Sequence, residues 1–293
     1  MEEFFHNPVM LNEVLDFIRQ HEHSRILDGT LGLGGYSEKF LNEFPDCFVL
    51  GIDRDEKAIE FSRDRLKNFA DRFEALQLNF SEINSINSPF DVYVFDLGVS
   101  NMQISDSSRG FSFQNDGPLD MRMNPNDKNL LTARDVLENY NEKDLAKIFF
   151  DYGEERFSRQ IAKAVKNTRN ELKTTGDLVN LIRETLPKPL QRKMGTHPAR
   201  RVFQALRIFV NNETQELENL LKSLKKIESG ALIIFVSYHS LEDRLVKKNF
   251  REWQQENLGK ILTRHPLTPS ENEVAENYKS RSAKLRAFSL IRG

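Results

Sequence analysis

The sequence predicts an α/β fold in which a mostly parallel sheet is interrupted by an inserted all-helical domain. In the first hundred residues short apolar strands alternate with helices, which is the pattern of βαβ units. From about residue 105 to 211 the pattern contains only loops and helices, and a buried strand returns at 231–237. The length of 293 residues suits two domains. We therefore predict a sheet domain over 1–104 and 212–293, and a helical domain over 105–211.

The elements of the sheet domain follow in order along the chain. Strands are predicted over 25–28, 48–53, 73–78 and 91–96, with helices over 12–19, 36–44 and 55–66. A helix over 213–224 then precedes the strand at 231–237, and the alternation of residues 285–291 is typical of an edge strand. Residues 254–277 are the one stretch with the composition of a linker.

The helical domain carries a concentrated positive charge. Four helices are predicted there, over 132–140, 142–168, 175–186 and 198–211. Thirteen Lys and Arg against three Asp and Glu lie between Arg156 and Arg207, although the whole chain has a net charge of −2. Such asymmetry indicates that a polyanion binds this domain. A set of solvated helix faces is the alternative explanation.

Several classes of protein are excluded by composition. The longest clean apolar run has six residues, and a membrane-spanning helix needs about 20. The N-terminus lacks the cationic region of a signal peptide. Cys47 is the only cysteine and no His pair has H-E-x-x-H spacing, so we predict neither an intrachain disulfide nor a metal site. These features predict a soluble protein of the cytosol.

A glycine-rich loop lies where a doubly wound sheet binds nucleotides. Residues 28–35 (DGTLGLGG) follow a strand and precede a helix, and glycine allows a ligand close to the backbone. A dinucleotide fingerprint starting at Gly32 fails at Ser37, and no Walker lysine follows. Asp28, ahead of the glycines, suits a cationic ligand better than a pyrophosphate. The loop therefore predicts an S-adenosylmethionine (SAM) site.

Two further acids and an aromatic ring extend this site. Asp53 ends the second strand, where an acid can accept hydrogen bonds from both ribose hydroxyls, and Asp96 ends the fourth. Phe80, just past the third strand, is in position to stack on adenine. Capping or core packing could explain any one of these residues, but acids at successive strand ends favour a cofactor site.

Ten stretches closely resemble the RsmH (MraW) family of bacterial SAM-dependent rRNA methyltransferases. They are residues 6–13, 28–35, 96–100, 109–113, 117–123, 152–156, 197–201, 203–207, 239–244 and 276–286. The resemblance implies a Rossmann-like class I methyltransferase sheet. It also implies N4-methylation of a cytidine in the decoding region of 16S rRNA, within the small ribosomal subunit. The SAM contacts it implies are Gly34, Gly35, Tyr36, Asp53, Phe80, Asp96 and Gln103, and Gly32 of the loop completes the predicted set.

The chain departs from the family pattern at three places. Tyr36 stands where the family usually has His, residues 101–102 (NM) replace the usual Ser-Pro, and the region 251–266 is shorter than in many members. The Tyr36 hydroxyl can still form a hydrogen bond, so we expect cofactor binding to persist.

Methylation of an exocyclic amine needs groups that accept its protons. The D/N-P-P-Y/F turn of many amino-methyltransferases reads DLGVS here, at residues 96–100. Asp96 is the first candidate by position, although it could serve the cofactor instead, and Asp120 is the second. His239 is a candidate proton acceptor, and the alternative is a structural histidine held by Glu242 or Asp243.

RNA contacts are predicted in the helical domain. In the helix over 198–211, a polar stripe of Arg200, Gln204, Arg207 and Asn211 lies opposite an apolar one, and we expect it to be free to meet phosphate. Arg200, Arg201 and Arg207 are the predicted RNA-binding residues. Phe111 and Phe113 are candidates for stacking on bases. An NAD-dependent oxidoreductase and a non-catalytic RNA-binding protein are the rival functions.

Overall fold

The computed structural model describes residues 8–168, 171–227 and 230–291, so the first two residues of the motif at 6–13 lie outside it. The chain divides into two compact units. The sheet unit comprises the described residues of 1–98 and 214–293, and the helical unit those of 99–213.

Strands are found in the sheet unit, where they form one sheet. In chain order they are β1 (Arg25–Asp28), β2 (Phe48–Asp53), β3 (Phe73–Gln77), β4 (Val92–Asp96), β5 (Leu232–Ser237), β6 (Gly259–Ile261) and β7 (Lys284–Leu290). The order across the sheet is β3-β2-β1-β4-β5-β7-β6, and the first five strands in it are parallel. The strand order reverses between β1 and β4, so the predicted α/β class with a doubly wound sheet is confirmed.

Two predictions for the C-terminal region are wrong. Strand β7 pairs antiparallel with β5 on one side and with β6 on the other, so it is not an edge strand. The predicted linker over 254–277 contains β6 and a short helix, Glu271–Glu276. The three residues of β6 are too few to give a recognisable alternation in the sequence.

Helices occur in both units. In chain order they are α1 (Leu11–Arg19), α2 (Gly35–Glu43), α3 (Glu56–Arg65), α4 (Asn101–Ser105), α5 (Ala133–Asn139), α6 (Glu142–Gly153), α7 (Ser158–Asn167), α8 (Thr175–Thr185), α9 (Lys188–Lys193), α10 (Arg200–Val210), α11 (Glu213–Leu224), α12 (Ser240–Gln255) and α13 (Glu271–Glu276). Helices α4 to α10 belong to the helical unit. No helix among the described residues is long and apolar enough to cross a membrane.

The central strands β1, β2, β4 and β5 are buried on both faces, because their side chains alternate between two hydrophobic cores, one on each side of the sheet. Val94 and Ile234 pack in the core that includes α1, α2 and α3. Phe95 and Phe235, which stack with ring centroids 4.9 Å apart, pack in the core with α11 and α12. The sheet is therefore a rigid base for the residues at its carboxyl edge.

One predicted helix of the helical unit is two helices. The stretch 142–168 breaks after Gly153, where Glu154 has a left-handed backbone with φ of 50°, and α7 begins at Ser158. A Cβ atom at Gly153 would lie 2.4 Å from the backbone oxygen of Arg201, so α6 approaches α10 more closely than a side chain allows. The helix α9 was not predicted.

Candidate functional site

The glycine loop lies across the carboxyl ends of three strands. Its backbone amides at Gly29 and Leu31 donate to Val94 of β4 (2.8 Å) and Ile52 of β2 (2.9 Å). Gly32 has a left-handed backbone, with φ of 50°. These bonds hold the loop over the edge of the sheet where open α/β sheets bind ligands.

Asp53 connects the end of β2 to this loop. Its Oδ2 accepts from the Gly32 amide at 2.8 Å, and its Oδ1 accepts from the Asp55 amide at 2.9 Å. Burial raises the pKa of the Asp53 carboxyl above its usual value. A carboxylate oxygen can accept more than one hydrogen bond, so both oxygens keep capacity for ligand hydroxyls.

Asp28 is enclosed rather than presented to a ligand. Its side chain is only 1% exposed, and its Oδ2 accepts from the Ser37 hydroxyl at 2.7 Å. Burial raises the pKa of this carboxyl to about 6. We predicted that Asp28 attracts a cationic ligand directly. The structure instead gives Asp28 a structural role, because its carboxyl ties the loop to α2.

Asp96 lies at the end of β4, and its backbone amide donates to the Thr30 hydroxyl of the loop at 2.7 Å. Its Oδ1 accepts a hydrogen bond of 2.7 Å from the Tyr238 hydroxyl. Burial raises the pKa of Asp96 to about 7, and the negative charges of Asp28 and Glu242 add to that effect. A carboxyl with a pKa near 7 can both give and take a proton at neutral pH.

Tyr238 is a site residue that the sequence analysis missed. It directly follows β5, which pairs with β4 in a register that sets Asp96 opposite Val236. A polar residue after a buried strand next to β4 was the available signal, but tyrosine belongs to no motif of the loop. The strand order was needed to bring it to Asp96.

The other predicted cofactor residues lie in different surroundings. Gly34 and Gly35 begin α2, and Phe80 is half-buried with its ring edge-on to Phe95 at 6.4 Å. The Tyr36 hydroxyl donates to the backbone oxygen of Val9 and is buried, so it is engaged within the chain. Gln103 lies in the helical unit, where its Oε1 accepts from the Ser100 amide at 3.1 Å and caps α4.

The two further catalytic candidates are held by neighbouring side chains. Both oxygens of Asp120, in the helical unit, accept from the Arg122 guanidinium at 2.8 Å. His239 caps α12, with its Nδ1 3.5 Å from the Glu242 amide. Its Nε2 lies 2.9 Å from Glu242 Oε1 without the alignment of a hydrogen bond. The contact with Glu242 is the one expected of a structural histidine.

The polar stripe of α10 is not free to meet phosphate, and that prediction is wrong for three of its residues. Gln204 Nε2 donates to the Tyr152 backbone oxygen at 3.1 Å. Arg207 donates to both carboxylate oxygens of Glu213, at 2.8 and 2.7 Å. Asn211 is 1% exposed and bonds to the Met121 oxygen and the Met123 amide. The hydrogen bonds of Arg207 therefore go to a carboxylate, and those of Asn211 go to backbone atoms. The side chain of Arg201, next to the stripe, is exposed.

The aromatic candidates for base stacking also pack within the helical unit. Phe111 is buried in its core, so it is not available to a base, and that expectation is wrong. Phe113 stacks on His197, with ring centroids 4.7 Å apart and planes 15° from parallel. Its edge meets the ring of Phe203 at 5.9 Å.

Comparison with known proteins gives matches over nearly the whole chain. The model of the MraW methylase family matches residues 3–291. A ribosomal RNA small subunit methyltransferase H from Picosynechococcus sp. is 44% identical over 289 residues, which cover 98% of this chain and 97% of the relative. A protein of the same name from Persephonella marina is 43% identical, covering 98% and 99%. The crystal structure of a putative rRNA-methylase from Clostridium thermocellum aligns with a TM-score of 0.45 at 13% identity, covering 98% of this chain and all of that one.

Proposed function

Because the chain belongs to the MraW methylase family, we propose that it methylates the exocyclic N4 of a cytidine in the decoding region of 16S rRNA. Family membership confirms the resemblance found in the sequence and removes the ground for an NAD-dependent oxidoreductase. The methyl donor is S-adenosylmethionine. The relatives' names support small-subunit rRNA as the substrate.

The residues at the sheet edge fit this cofactor. Asp53 retains acceptor capacity on both oxygens, which suits the two ribose hydroxyls. Gly32 has a left-handed backbone and no Cβ atom, and hydrogen bonds hold the loop in place. A ligand can therefore approach the backbone of the loop closely. When bound, the cofactor supplies an electrophilic methyl group on a cationic sulfur, and a site of carboxylates is electrostatically suited to that charge. We assign Gly32, Gly34, Gly35, Asp53 and Phe80 to holding it.

The site of Asp96 is the single observation that carries the catalytic proposal. Transfer of the methyl group from the cofactor to N4 would require the nitrogen to lose a proton, which a group at the site has to accept. The Asp96 carboxyl, with a pKa of about 7, is ionised in a substantial fraction at neutral pH and can accept that proton. Asp120 and His239 are weaker choices, because Arg122 holds the first and helix capping engages the second.

We assign substrate binding to the helical unit. The stretch 156–207 carries a net charge of +10, and the exposed side chain of Arg201 lies on α10, next to Arg200. Cations of this kind bind the phosphate backbone and give little sequence discrimination. The target base must be unstacked to reach the half-buried Asp96 carboxylate, so the substrate is a single-stranded or flipped cytidine.

The proposal is tested with methyl-labelled S-adenosylmethionine and small ribosomal subunits from a strain that lacks the enzyme. We expect label in 16S rRNA, and N4-methylcytidine as the only labelled nucleoside after digestion. Subunits from the parent strain are the control, because their target is already methylated. Label in another nucleoside would contradict the N4 assignment, and no label in any RNA would contradict rRNA methylation.

A further inference from the structure

Tyr238 is held in place from three directions at the carboxyl edge of the sheet. Its hydroxyl donates to Asp96 Oδ1 at 2.7 Å, and its backbone amide donates to Glu242 Oε2 at 2.9 Å. A Cβ atom at Gly98 would lie 3.6 Å from the Tyr238 ring, so the ring lies beside the turn that follows β4. Gly98 itself has φ of 110°, which favours glycine. The hydroxyl is therefore fixed relative to Asp96.

The charges around Asp96 make this hydrogen bond consequential. Asp28, Glu242 and Glu273 all disfavour an ionised Asp96, as does burial. The Tyr238 hydroxyl acts in the opposite direction, because a donated hydrogen bond stabilises the carboxylate. Tyr36, also buried nearby, bonds to Val9 and not to Asp96. The Tyr238 pKa is well above its usual value, so the tyrosine stays a donor across the working pH range.

We propose that Tyr238 is a positioning residue for methyl transfer, whose hydroxyl orients Asp96 and favours the carboxylate form that accepts a proton from the reacting amine. With Oδ1 engaged by Tyr238, Oδ2 accepts the proton that leaves N4 as the N4–carbon bond forms. Tyr238 itself neither gains nor loses a proton. This inference rests on the proposed function through the role of Asp96.

The test is Tyr238→Phe, which removes one hydroxyl and keeps the ring. We expect the pKa of Asp96 to rise by about one to two units, the size of one hydrogen bond to a charged group. Carbon-13 carboxyl NMR of selectively labelled, cofactor-free protein measures that shift directly. In parallel, the acid limb of the kcat profile should move to higher pH by the same amount. Activity at pH 7 should therefore fall about 5- to 50-fold and recover to about half or more of its maximum by pH 9, with KM for the cofactor nearly unchanged.

Tyr93→Phe is the matched control. Tyr93 is another buried tyrosine of the sheet unit, and its hydroxyl bonds to the Phe90 amide instead of a carboxylate. Its removal should leave the titration of Asp96 and the kcat profile as in the wild type. A pH-independent loss of activity in Tyr238→Phe, with an unshifted Asp96 resonance, would show a structural role only and overturn the inference.

Asp96→Asn separates the two levels of the account. If Asp96→Asn stays active, the catalytic role of Asp96 fails, and the positioning role of Tyr238 fails with it. If Asp96→Asn is inactive while Tyr238→Phe keeps the wild-type titration and profile, only the inference about Tyr238 fails. If the product is not N4-methylcytidine, the proposed substrate is wrong. The pH profiles of the wild type and Tyr238→Phe still test the role of Tyr238.

Discussion

The acids of the sheet unit and the polar stripe of helix α10 were both predicted from the sequence as ligand-binding groups. In the structure their surroundings differ. Asp53 and Asp96 lie at the carboxyl ends of parallel strands and bond to the glycine loop or the residue after β5. In α10, Arg207 is neutralised by Glu213, and Asn211, directly after the helix, is buried and bonds to backbone atoms. Strand topology fixes which side chains share an edge, whereas helical periodicity says only which share a stripe.

The physical difference is where each group finds its partners. At the edge of a parallel sheet the loops carry backbone amides and hydroxyls, so an acid can be held there and still keep acceptor capacity. A polar stripe on a helix can instead be satisfied by a neighbouring segment of the same unit, because buried polar groups are almost always paired. Substitutions of the sheet-unit acids test whether these residues bind ligand and take part in catalysis, as we propose, or have only a structural role.

The largest effect is expected for Asp96→Asn. This substitution keeps the size of the side chain and its contact with Tyr238 but removes the proposed proton acceptor, so the rate of methyl transfer should fall about 10²- to 10⁴-fold. Single-turnover rates at saturating cofactor measure it, with cofactor affinity by calorimetry as the control. A rate within 10-fold of the wild type would assign Asp96 to the fold instead of the chemistry.

A smaller effect is expected for Asp53→Ala, which removes the proposed acceptor for the ribose hydroxyls. Cofactor affinity should fall about 10- to 100-fold, since hydrogen bonds to a charged group contribute roughly 1.5–3 kcal/mol. Asp91→Ala is the control, because Asp91 also accepts from a backbone amide, that of Arg25, where β1 and β4 begin. Unchanged affinity in Asp53→Ala would remove Asp53 from the cofactor site.

The stability of the folded protein should depend on pH through Asp96. The folded-state pKa of Asp96, about 7, lies above its ordinary value of 3.8, so folding favours the protonated acid. The stability from this group is complete below about pH 4 and is lost as the pH rises to about 7. Asp96→Asn, neutral at every pH, should be more stable than the wild type at pH 8 by on the order of 2–4 kcal/mol.

Thermal unfolding of the cofactor-free protein measures this difference. We expect the Tm of Asp96→Asn to exceed that of the wild type by about 5 °C or more at pH 8, and the two to converge near pH 4. Equal Tm values at both pH values would show that Asp96 has an ordinary pKa. That result would contradict a raised pKa of the Asp96 carboxyl.

The sequence predicted the parallel strands well because apolar runs between helices leave few alternatives, and it predicted the acids because strand ends share one edge. It failed where contacts distant in sequence decide the outcome. Strand β7 became internal because three residues of β6 pair with it, and the break after Gly153 follows from close packing on α10. Tyr238 meets Asp96 across 142 positions of sequence, which no local pattern encodes.

We propose a division of labour, in which the sheet unit binds the cofactor and cations of the helical unit bind RNA. Its most direct test measures both affinities on two variants, Asp53→Ala and Arg200→Ala/Arg201→Ala, with Arg207 kept because it pairs with Glu213. We expect the first to lose cofactor affinity alone. The second should lose RNA affinity alone, and its salt slope should be smaller by up to about one unit for each phosphate that the protein no longer neutralises. A wild-type salt slope in the double variant, or loss of both affinities in either variant, would contradict the account.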